Sequence, residues 1–161
     1  MESTFTIRSI APTDNVEIAR IIRFCLKEFG ADKPGTVYFE ESTDRLFEVF
    51  RETNSAYFIV EHNGIILGGG GIFPSPGLPK GTCEMVKMYL LPEYRGKGIG
   101  IALINTCFDI AKQMGFNVVY IESMRVLHRA IALYEKIGFI QLSAPLGNTG
   151  HFSEVWMTKS I

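Results

Sequence analysis

The chain has 161 residues, of which 47% are hydrophobic and 20% are charged, and this composition is typical of an ordered protein rather than a disordered one. The length predicts a single domain over residues 1–161. The formal net charge of -1 lacks the basic excess of proteins that bind nucleic acid or membrane surfaces, so neither partner is expected. No apolar run reaches the roughly 18 residues of a membrane span, and the first residues lack the pattern of a signal peptide. A cytoplasmic protein is therefore expected.

The cysteines and histidines form no recognisable ligand pattern. The three cysteines lie far apart without a Cys-x-x-Cys pair, which favours reduced, buried thiols over a disulfide framework or a zinc site. The three histidines lack the spacing of a motif such as His-Glu-x-x-His. We therefore expect no metal. These residues are Cys25, Cys83, Cys107, His62, His128 and His151.

The first half of the chain predicts a strand, two helices and a hairpin. Asp14 is a suitable N-cap for the first helix, and Val16 is expected on its apolar face. Asn63-Gly64 between two apolar runs is a strong signal for a tight β-hairpin. In order, the predicted elements are a strand at Thr4–Arg8, helices from Asp14 to about Glu28 and from Asp44 to Arg51, and strands at Tyr57–Glu61 and Ile65–Phe73.

The second half alternates strands and helices. The resulting order β-α-α-β-β-β-α-β-α-β-β predicts an α/β fold, with a mixed sheet of about seven strands and helices on both faces. The predicted elements are a strand at Thr82–Leu91, a helix at Gly98–Met114, a strand at Val118–Glu122, a helix at Leu127–Ile137 closed by Gly138, and strands at Phe139–Ser143 and Ser153–Thr158.

Two glycine-rich segments need separate interpretations. Gly68–Gly71 lies inside a strand pattern, and neither a Lys-Ser/Thr pair nor a helix follows it. It therefore fits neither a Walker A loop nor a dinucleotide fingerprint. A β-bulge or a close approach of another backbone is the favoured interpretation.

The second segment, Arg95–Gly100, lies between a strand that ends at Pro92 and an apolar-periodic helix. The first turn of a helix presents unpaired N–H groups and about half a positive charge, so an anion is stabilised there. Three glycines let phosphate oxygens approach the backbone, and Arg95 and Lys97 add two cations. The segment predicts a diphosphate site, although the glycine spacing alone also fits a plain turn with two solvated basic residues.

Two motifs resemble those of the GCN5-related N-acetyltransferases (the GNAT family). The pattern Arg95-x-x-Gly98-x-Gly100 is similar to the family's acetyl-CoA signature, Arg/Gln-x-x-Gly-x-Gly/Ala. The stretch Ala130–Phe139 is similar to the family's second motif, Leu-Tyr-Glu-Lys-x-Gly-Phe, and has isoleucine at x. Its tyrosine, Tyr134, lies about 35 residues after the first motif. The resemblance covers nearly the whole chain. It implies the GNAT acyl-CoA N-acyltransferase fold and acetyl transfer to an amine, with acetyl-CoA as co-substrate and no metal.

The resemblance also implies a donor site. The strand before Arg95–Gly100, the diphosphate cradle, is expected to bulge and to pair with the pantetheine amides of acetyl-CoA. A backbone N–H at or near Met88 is expected to stabilise the oxyanion that forms during transfer. At Leu127 the chain departs from the family, many of whose members carry a cofactor-binding asparagine there. The implied donor-site residues are Met88, Tyr89, Leu90, Arg95, Gly96, Lys97, Gly98, Ile99, Gly100 and Ile101.

Two catalytic residues are implied in the same way. Glu84 lies eleven residues before Arg95, the offset of the general base in histone-modifying members of the family. By itself, however, Glu84 would equally fit a strand carboxylate that faces solvent or pairs with a lysine. Glu122 on the next strand is the alternative base. Tyr134 is the implied acid that protonates the leaving thiolate, although its apolar helix stripe also fits a structural tyrosine.

The acceptor is less well specified by the sequence. The loop between the first two helices and the last hairpin are expected to contribute, with Tyr38, Phe39, Glu122 and His151 as substrate-binding candidates. His151 fits either an acid/base group or an ordinary loop histidine. With no further domain predicted to grip a protein, a small-molecule amine or amino acid is favoured over a protein or peptide amino group. A non-catalytic acyl-CoA sensor is the remaining alternative, and a homodimer is compatible with the sequence.

Overall fold

The computed structural model describes residues 4–161, so the first three residues of the predicted domain lie outside it. The described chain forms one seven-stranded sheet flanked by helices. The elements are β1 (Thr6–Ser9), α1 (Asn15–Glu28), α2 (Leu46–Val49), β2 (Ala56–His62), β3 (Ile65–Phe73), β4 (Thr82–Leu90), α3 (Ile99–Gln113), β5 (Val118–Ser123), α4 (His128–Lys136), β6 (Ile140–Leu142) and β7 (Val155–Ser160). Short 3₁₀ turns precede α1, α2 and α3.

The sheet is mixed, as the order of elements predicts. Its strand order is β1-β2-β3-β4-β5-β7-β6, and β4 and β5 are parallel whereas the other neighbours are antiparallel. One hydrophobic cluster joins α1 and α2 to one face of the sheet, and another joins α3 and α4 to the opposite face. The predicted fold class is therefore confirmed. None of the helices in residues 4–161 is long and apolar enough to cross a membrane.

The first helix begins where the sequence predicts, but its buried face differs. Ile18, Ile22 and Leu26 are fully buried in the cluster beneath α1. Val16, predicted to share that face, is instead 83% exposed. At roughly 100° per residue Val16 points about 200° away from Ile18, so it belongs to the solvent side. Asp14 precedes the helix, but its carboxylate accepts hydrogen bonds from Arg8 and from the backbone N–H of residue 11 rather than capping the helix.

The second predicted helix is shorter than expected. Of the predicted segment Asp44–Arg51, only Leu46–Val49 is α-helical, and a 3₁₀ turn precedes it. The chain leaves helical geometry at Arg45, with φ -138° and ψ 46°, where Asp44 is bound by the guanidinium of Arg23. A 3₁₀ turn and this long-range ion pair therefore lie where the local pattern predicts the first helical turn.

The β2–β3 hairpin follows its turn residues. Asn63 and Gly64 have φ of 49° and 78°, and both positive values are those that a type I′ turn requires. The turn aligns His62 with Ile65, and the pairing then continues to Ala56 and Ile72. The Asn-Gly prediction is confirmed.

The glycine run in β3 marks a close approach on both of its sides, and its pairings with β2 and β4 each contain a register shift nearby. A Cβ on Gly68 would lie 2.1 Å from the carbonyl oxygen of Tyr89 on β4. A Cβ on Gly71 would lie 2.2 Å from the carbonyl oxygen of Ala56 on β2. The two interpretations suggested by the sequence, a bulge and a close backbone approach, therefore both hold.

Gly71→Ala is expected to destabilise the fold, because the new methyl would collide with strand backbone that cannot rotate away. Overpacking of this kind costs about 1–3 kcal/mol in the free energy of unfolding. Urea denaturation followed by circular dichroism measures the change. Gly100→Ala, at a glycine without positive φ whose added Cβ would make only ordinary contacts at 3.7 and 3.8 Å, controls for the loss of a glycine alone. Equal midpoints for the wild type and Gly71→Ala would contradict the close approach.

Candidate active site

The parallel strands β4 and β5 separate part-way along their length. They pair from Thr82 opposite Val118 only as far as Glu84 opposite Tyr120. Beyond that point β4 continues beside β3, and β5 continues beside β7. A cavity of about 660 Å³ opens between the diverging strands, within the size range of ligand sites. It is bounded by β4, β5, the start of α3, one side of α4, and the end of α1 with the loop that follows it.

A β-bulge lies on the β4 side of this opening. The register with β3 moves from Gly71–Val86 to Gly69–Tyr89, so Lys87 and Met88 together face the single residue Gly70. The bulge interrupts the ladder where β4 borders the cavity. Met88, Tyr89 and Leu90, the three residues predicted to pair with a pantetheine arm, all line the cavity.

The predicted diphosphate cradle forms the other end of the cavity. Gly96 and Gly98 adopt φ of 72° and 81°, which glycine reaches without strain. The first helical hydrogen bond runs from the N–H of Ala102 to the carbonyl of Gly98, 3.1 Å, so the N–H groups before Ala102 lack a partner one turn back. A Cβ at Gly96 or Gly98 would meet nothing within 4 Å, which leaves the space beside these amides open. The segment therefore fits an anionic group.

The two basic residues of the cradle are turned toward other parts of the protein. The guanidinium of Arg95 donates to Glu28 at 2.8 Å and to the carbonyl of Leu90 at 2.9 Å, and it stacks 5.3 Å from the ring centroid of Phe29. The ammonium of Lys97 lies 5.8 Å from the ring centroid of Tyr94. Arg95 therefore ties the cradle loop to α1. The cations that line the cavity besides Arg95 include Arg129 and Lys136 of α4, which the sequence analysis missed.

Of the other three predicted donor-site residues, Gly100 and Ile101 line the cavity, whereas the side chain of Ile99 is 2% exposed and packs in the core. Leu127, which stands where many GNAT members carry asparagine, also lines it and supplies an apolar surface there.

Glu84 lies at the point where the two strands separate. Its side chain is nearly fully buried, at 2% exposure, and one carboxylate oxygen accepts a hydrogen bond from the Ser75 hydroxyl at 2.6 Å. Burial raises the pKa of this carboxyl from 4.5 to about 7, with a smaller contribution in the same direction from the negative charge of Glu122. A group with this pKa accepts and releases a proton near neutral pH.

Tyr134 faces Glu84's cavity from α4. It is 7% exposed, and its ring packs edge-on against Phe139 at a centroid distance of 5.7 Å. Tyr134 lines the cavity, and its hydroxyl makes no hydrogen bond to another residue within 4–161. Burial raises the pKa of the phenol well above its ordinary value. Tyr134 therefore carries its proton throughout the neutral range.

Glu122, the alternative base, is held by two hydroxyl groups. Tyr120 donates to one of its oxygens at 2.7 Å, and Thr149 donates to the other. The oxygen of Tyr120 in turn accepts a hydrogen bond from the backbone N–H of Leu146 at 3.1 Å. Glu122 thus joins β5 to the loop before β7, and its carboxylate is more constrained than that of Glu84.

A second group of charged residues lies beside Glu84. Glu40 accepts a hydrogen bond from Nδ1 of His151 at 2.6 Å and pairs with the ammonium of Lys87 at 3.3 Å. Burial acts to raise the pKa of Glu40, but these two partners outweigh it and hold the pKa at about 2. The bond to Glu40 likewise raises the pKa of His151. His151 therefore lies in the site, in contact with Glu40.

A smaller cavity of about 150 Å³ adjoins the opening from the other side of β4. Glu84, Lys87 and His151 border both cavities, so Glu84 stands at their junction. The predicted substrate residues Tyr38 and Phe39 lie in the 3₁₀ turn at Val37–Phe39 and do not line either cavity, and Phe39 is 61% exposed. The small cavity is lined by Glu40, Ser42, Val49, Phe50, Phe73, Ser75, Glu84, Val86, Lys87 and His151.

Sequence reasoning missed Ser75, which hydrogen-bonds Glu84. Ser75 lies between two prolines in an irregular loop, a setting that carries no catalytic signal. Within residues 4–161 no group of three or more histidine, cysteine or acidic side chains is arranged to hold a metal ion.

Comparison with known proteins gives the same family throughout. Residues 18–139 match the acetyltransferase (GNAT) family model. The chain is 41% identical over 158 residues to the uncharacterised N-acetyltransferase YjgM of Escherichia coli (strain K12), covering 96% of this chain and 94% of the relative.

Two solved structures share the fold at lower identity. A GNAT acetyltransferase from Staphylococcus aureus superposes with a TM-score of 0.86 at 15% identity, covering 98% of this chain and 99% of the other. The acetyltransferase yncA of Salmonella typhimurium, solved with its cofactor acetyl-CoA, gives 0.75 at 18% identity, covering 97% and 93%. With a family match over most of the chain and a relative at this identity over nearly its full length, the protein belongs to the GNAT family and is an acyl-CoA-dependent N-acetyltransferase.

Proposed function

We propose that the protein transfers the acetyl group of acetyl-CoA to a primary amine of a small molecule, by direct attack of the amine. The observation that carries the proposal is the separation of β4 and β5 at Glu84. The strands separate around a cavity of about 660 Å³, which is lined by the glycine cradle, the bulged strand, Glu84 and Tyr134.

Acetyl-CoA fits the donor half of this cavity. The unpaired N–H groups from Gly98 to Ile101 would bind the diphosphate, supported by the helix dipole of α3 and by Arg129. Met88, Tyr89 and Leu90 would pair with the pantetheine amides along the edge that β4 leaves open. Acetyl-CoA supplies an activated acyl group whose thioester bond breaks as the amide forms.

Glu84 would act as the base that takes a proton from the acceptor amine. An alkyl ammonium has a pKa near 10.4, so at neutral pH the amine arrives protonated and must lose a proton before it attacks. With a pKa of about 7, the Glu84 carboxylate is a stronger base than an ordinary glutamate. The hydrogen bonds favour Glu84 over Glu122 as the base, because both oxygens of Glu122 already accept hydrogen bonds from hydroxyl groups.

The remaining needs are an oxyanion donor and a proton for the leaving group. The N–H of Met88, at the bulge, would stabilise negative charge on the carbonyl oxygen. Tyr134 would donate its phenolic proton to the departing CoA thiolate and regain a proton from the nitrogen, which loses its second proton as the amide forms. The proton accepted earlier by Glu84 returns to solvent at the end of the cycle. The position of Tyr134 on the wall of the same cavity supports this assignment.

The acceptor is assigned to the smaller cavity. Its volume of about 150 Å³ suits a small molecule, and Glu84 borders it directly. Glu40 and His151 supply a carboxylate and an imidazole beside that opening. These dimensions accommodate a small amine.

An acceptor screen tests the proposal. CoA thiol release from acetyl-CoA would be measured across primary amines, amino acids, short peptides and folded proteins. We expect turnover with at least one small amine and none with folded proteins. Turnover confined to peptides would contradict the acceptor class, and tight acetyl-CoA binding without turnover on any acceptor would favour the non-catalytic sensor.

Tyr134→Phe is expected to lower kcat by about 10²-fold or more, which is the usual contribution of general acid catalysis. The affinity for acetyl-CoA should change little, because the variant keeps the ring that packs on Phe139. Steady-state kinetics and calorimetric titration measure the two quantities separately. Tyr94→Phe, which alters a tyrosine beside Lys97 instead, is the matched control. An unaltered kcat would remove Tyr134 from the mechanism.

A further inference from the structure

The bulge residue Lys87 has an unusual backbone conformation. Its φ is +51°, in the left-handed region that lysine rarely adopts. The other two residues besides glycine with positive φ in the range 4–161 are Asn54 and Asn63, and asparagine tolerates that region well. Lys87 instead lies inside β4, where the neighbouring interactions must hold it.

One such interaction comes from Tyr57, two strands away on β2. Tyr57 is 2% exposed, and its hydroxyl donates a hydrogen bond of 2.8 Å to the carbonyl oxygen of Lys87. Because the bulge takes Lys87 out of register with β3, the regular ladder is interrupted at this carbonyl. The Tyr57 hydroxyl therefore replaces a strand partner.

The glycine run of β3 makes this reach possible. A Cβ at Gly69 would lie 2.7 Å from Cε1 of Tyr57, and a Cβ at Gly71 would lie 2.8 Å from its Cδ2. The ring crosses β3 over backbone that carries no side chains on that face. On the opposite face, a Cβ at Gly70 would lie 2.6 Å from Sδ of Met88. The glycines thus clear a path from β2 to the bulge and also accommodate the bulge itself.

The bond to Lys87 also determines where the next N–H points. In a planar trans peptide, the C=O of one residue and the N–H of the next point in opposite directions. Tyr57 packs in the cluster on the α1 and α2 side of the sheet, so the carbonyl of Lys87 points to that side. The N–H of Met88 therefore points to the α3 and α4 side, where Tyr134 and the part of the large cavity next to α3 and α4 lie.

We propose that Tyr57 is a positioning residue for acetyl transfer: by holding the carbonyl of Lys87, it aims the N–H of Met88 at the thioester carbonyl. The inference rests on the proposed function, in which this N–H binds that oxygen. Tyr57 touches neither substrate and acts only through the peptide between Lys87 and Met88.

Infrared spectroscopy of acetyl-CoA labelled with ¹³C at the carbonyl tests the inference without any acceptor. A hydrogen bond from Met88 polarises the carbonyl, so the bound band should lie at lower frequency than that of free acetyl-CoA. In Tyr57→Phe, which removes a single hydroxyl, the band is expected to move back toward the free value. The affinity of Tyr57→Phe for CoA, which lacks the thioester carbonyl, should stay within twofold of the wild-type affinity.

Two further variants separate positioning from general loss of stability. Ile59→Val shortens a fully buried side chain two residues along β2 and should leave the band at its wild-type position. Lys87→Gly in the Tyr57→Phe background should lower the band again, because glycine adopts a positive φ without strain. Recovery in the double variant would show that the band shift in Tyr57→Phe reflects the Lys87 conformation rather than lost stability.

The possible failures are distinguishable. A Tyr57→Phe band identical to the wild-type band would overturn the role of Tyr57 while leaving the proposed function intact. A double variant with no recovery would contradict the link through the Lys87 conformation. A wild-type band no lower than that of free acetyl-CoA would contradict the carbonyl site in the proposed function, and the role of Tyr57 with it.

Discussion

Gly98→Glu is expected to weaken acetyl-CoA binding by at least about 100-fold. Charge-assisted hydrogen bonds contribute roughly 1.5–3 kcal/mol each, so the loss of one or two is enough for this change. A glutamate at this position would put a carboxylate and a side chain into the open space beside the free amides at the start of α3. Isothermal titration calorimetry with acetyl-CoA measures the effect.

Gly115→Glu is a closely matched control. Gly115 follows α3 at its other end, has φ of 89°, and, like Gly98, leaves nothing within 4 Å of an added Cβ. The two variants therefore carry the same charge and similar backbone strain, but only one of them lies in the cradle. We expect Gly115→Glu to bind acetyl-CoA nearly as the wild type does. Undiminished affinity in Gly98→Glu would refute the assignment of the diphosphate site.

Glu84→Gln is expected to lower kcat/KM by about 10²–10⁴-fold at neutral pH, the usual range for loss of a general base. The wild-type rate should fall as the pH decreases through about 7, because the carboxylate is the active form and protonation removes it. In Glu84→Gln this acidic limb should disappear. Glutamine retains the shape of the side chain and can still accept the hydrogen bond from Ser75.

The comparison variant for Glu84 is Glu122→Gln. It changes the alternative base while leaving the Glu84 carboxylate and its partner Ser75 in place. We expect it to keep the acidic limb near pH 7 and to lose less activity. If Glu84→Gln retained that limb and Glu122→Gln lost it, the base would be Glu122. Retention of the limb in both variants would favour a water or the acceptor itself.

Local sequence patterns predicted most of the fold. Alternation and helical periodicity located the seven strands and the long helices, and Asn63-Gly64 located the hairpin turn. The predicted helix over Asp44–Arg51 is shorter, Leu46–Val49, and the contact between Asp44 and Arg23, more than twenty residues away, was not predicted either. Local periodicity carries no information on such a contact.

The candidate site was predictable in its residue types but not in its contacts. The glycine pattern and the GNAT resemblance indicated the cradle, Glu84 and Tyr134. The partners of Arg95 and Lys87 could not be predicted, because Glu28 and Tyr57 reach them across the fold rather than along the chain. The separation of β4 from β5 is also a property of pairing between distant segments. For the same reason the local sequence does not predict that the ring of Tyr57 crosses the glycine run in β3.

A crystal structure of the protein with acetyl-CoA, in the absence of an acceptor, tests the central claim most directly. We predict that the thioester lies in the opening between β4 and β5, with its carbonyl oxygen about 3 Å from the backbone nitrogen of Met88. The diphosphate should lie against the N–H groups from Gly98 to Ile101, and the sulfur should face Tyr134. A thioester bound outside this opening, or a carbonyl turned away from Met88, would contradict the account.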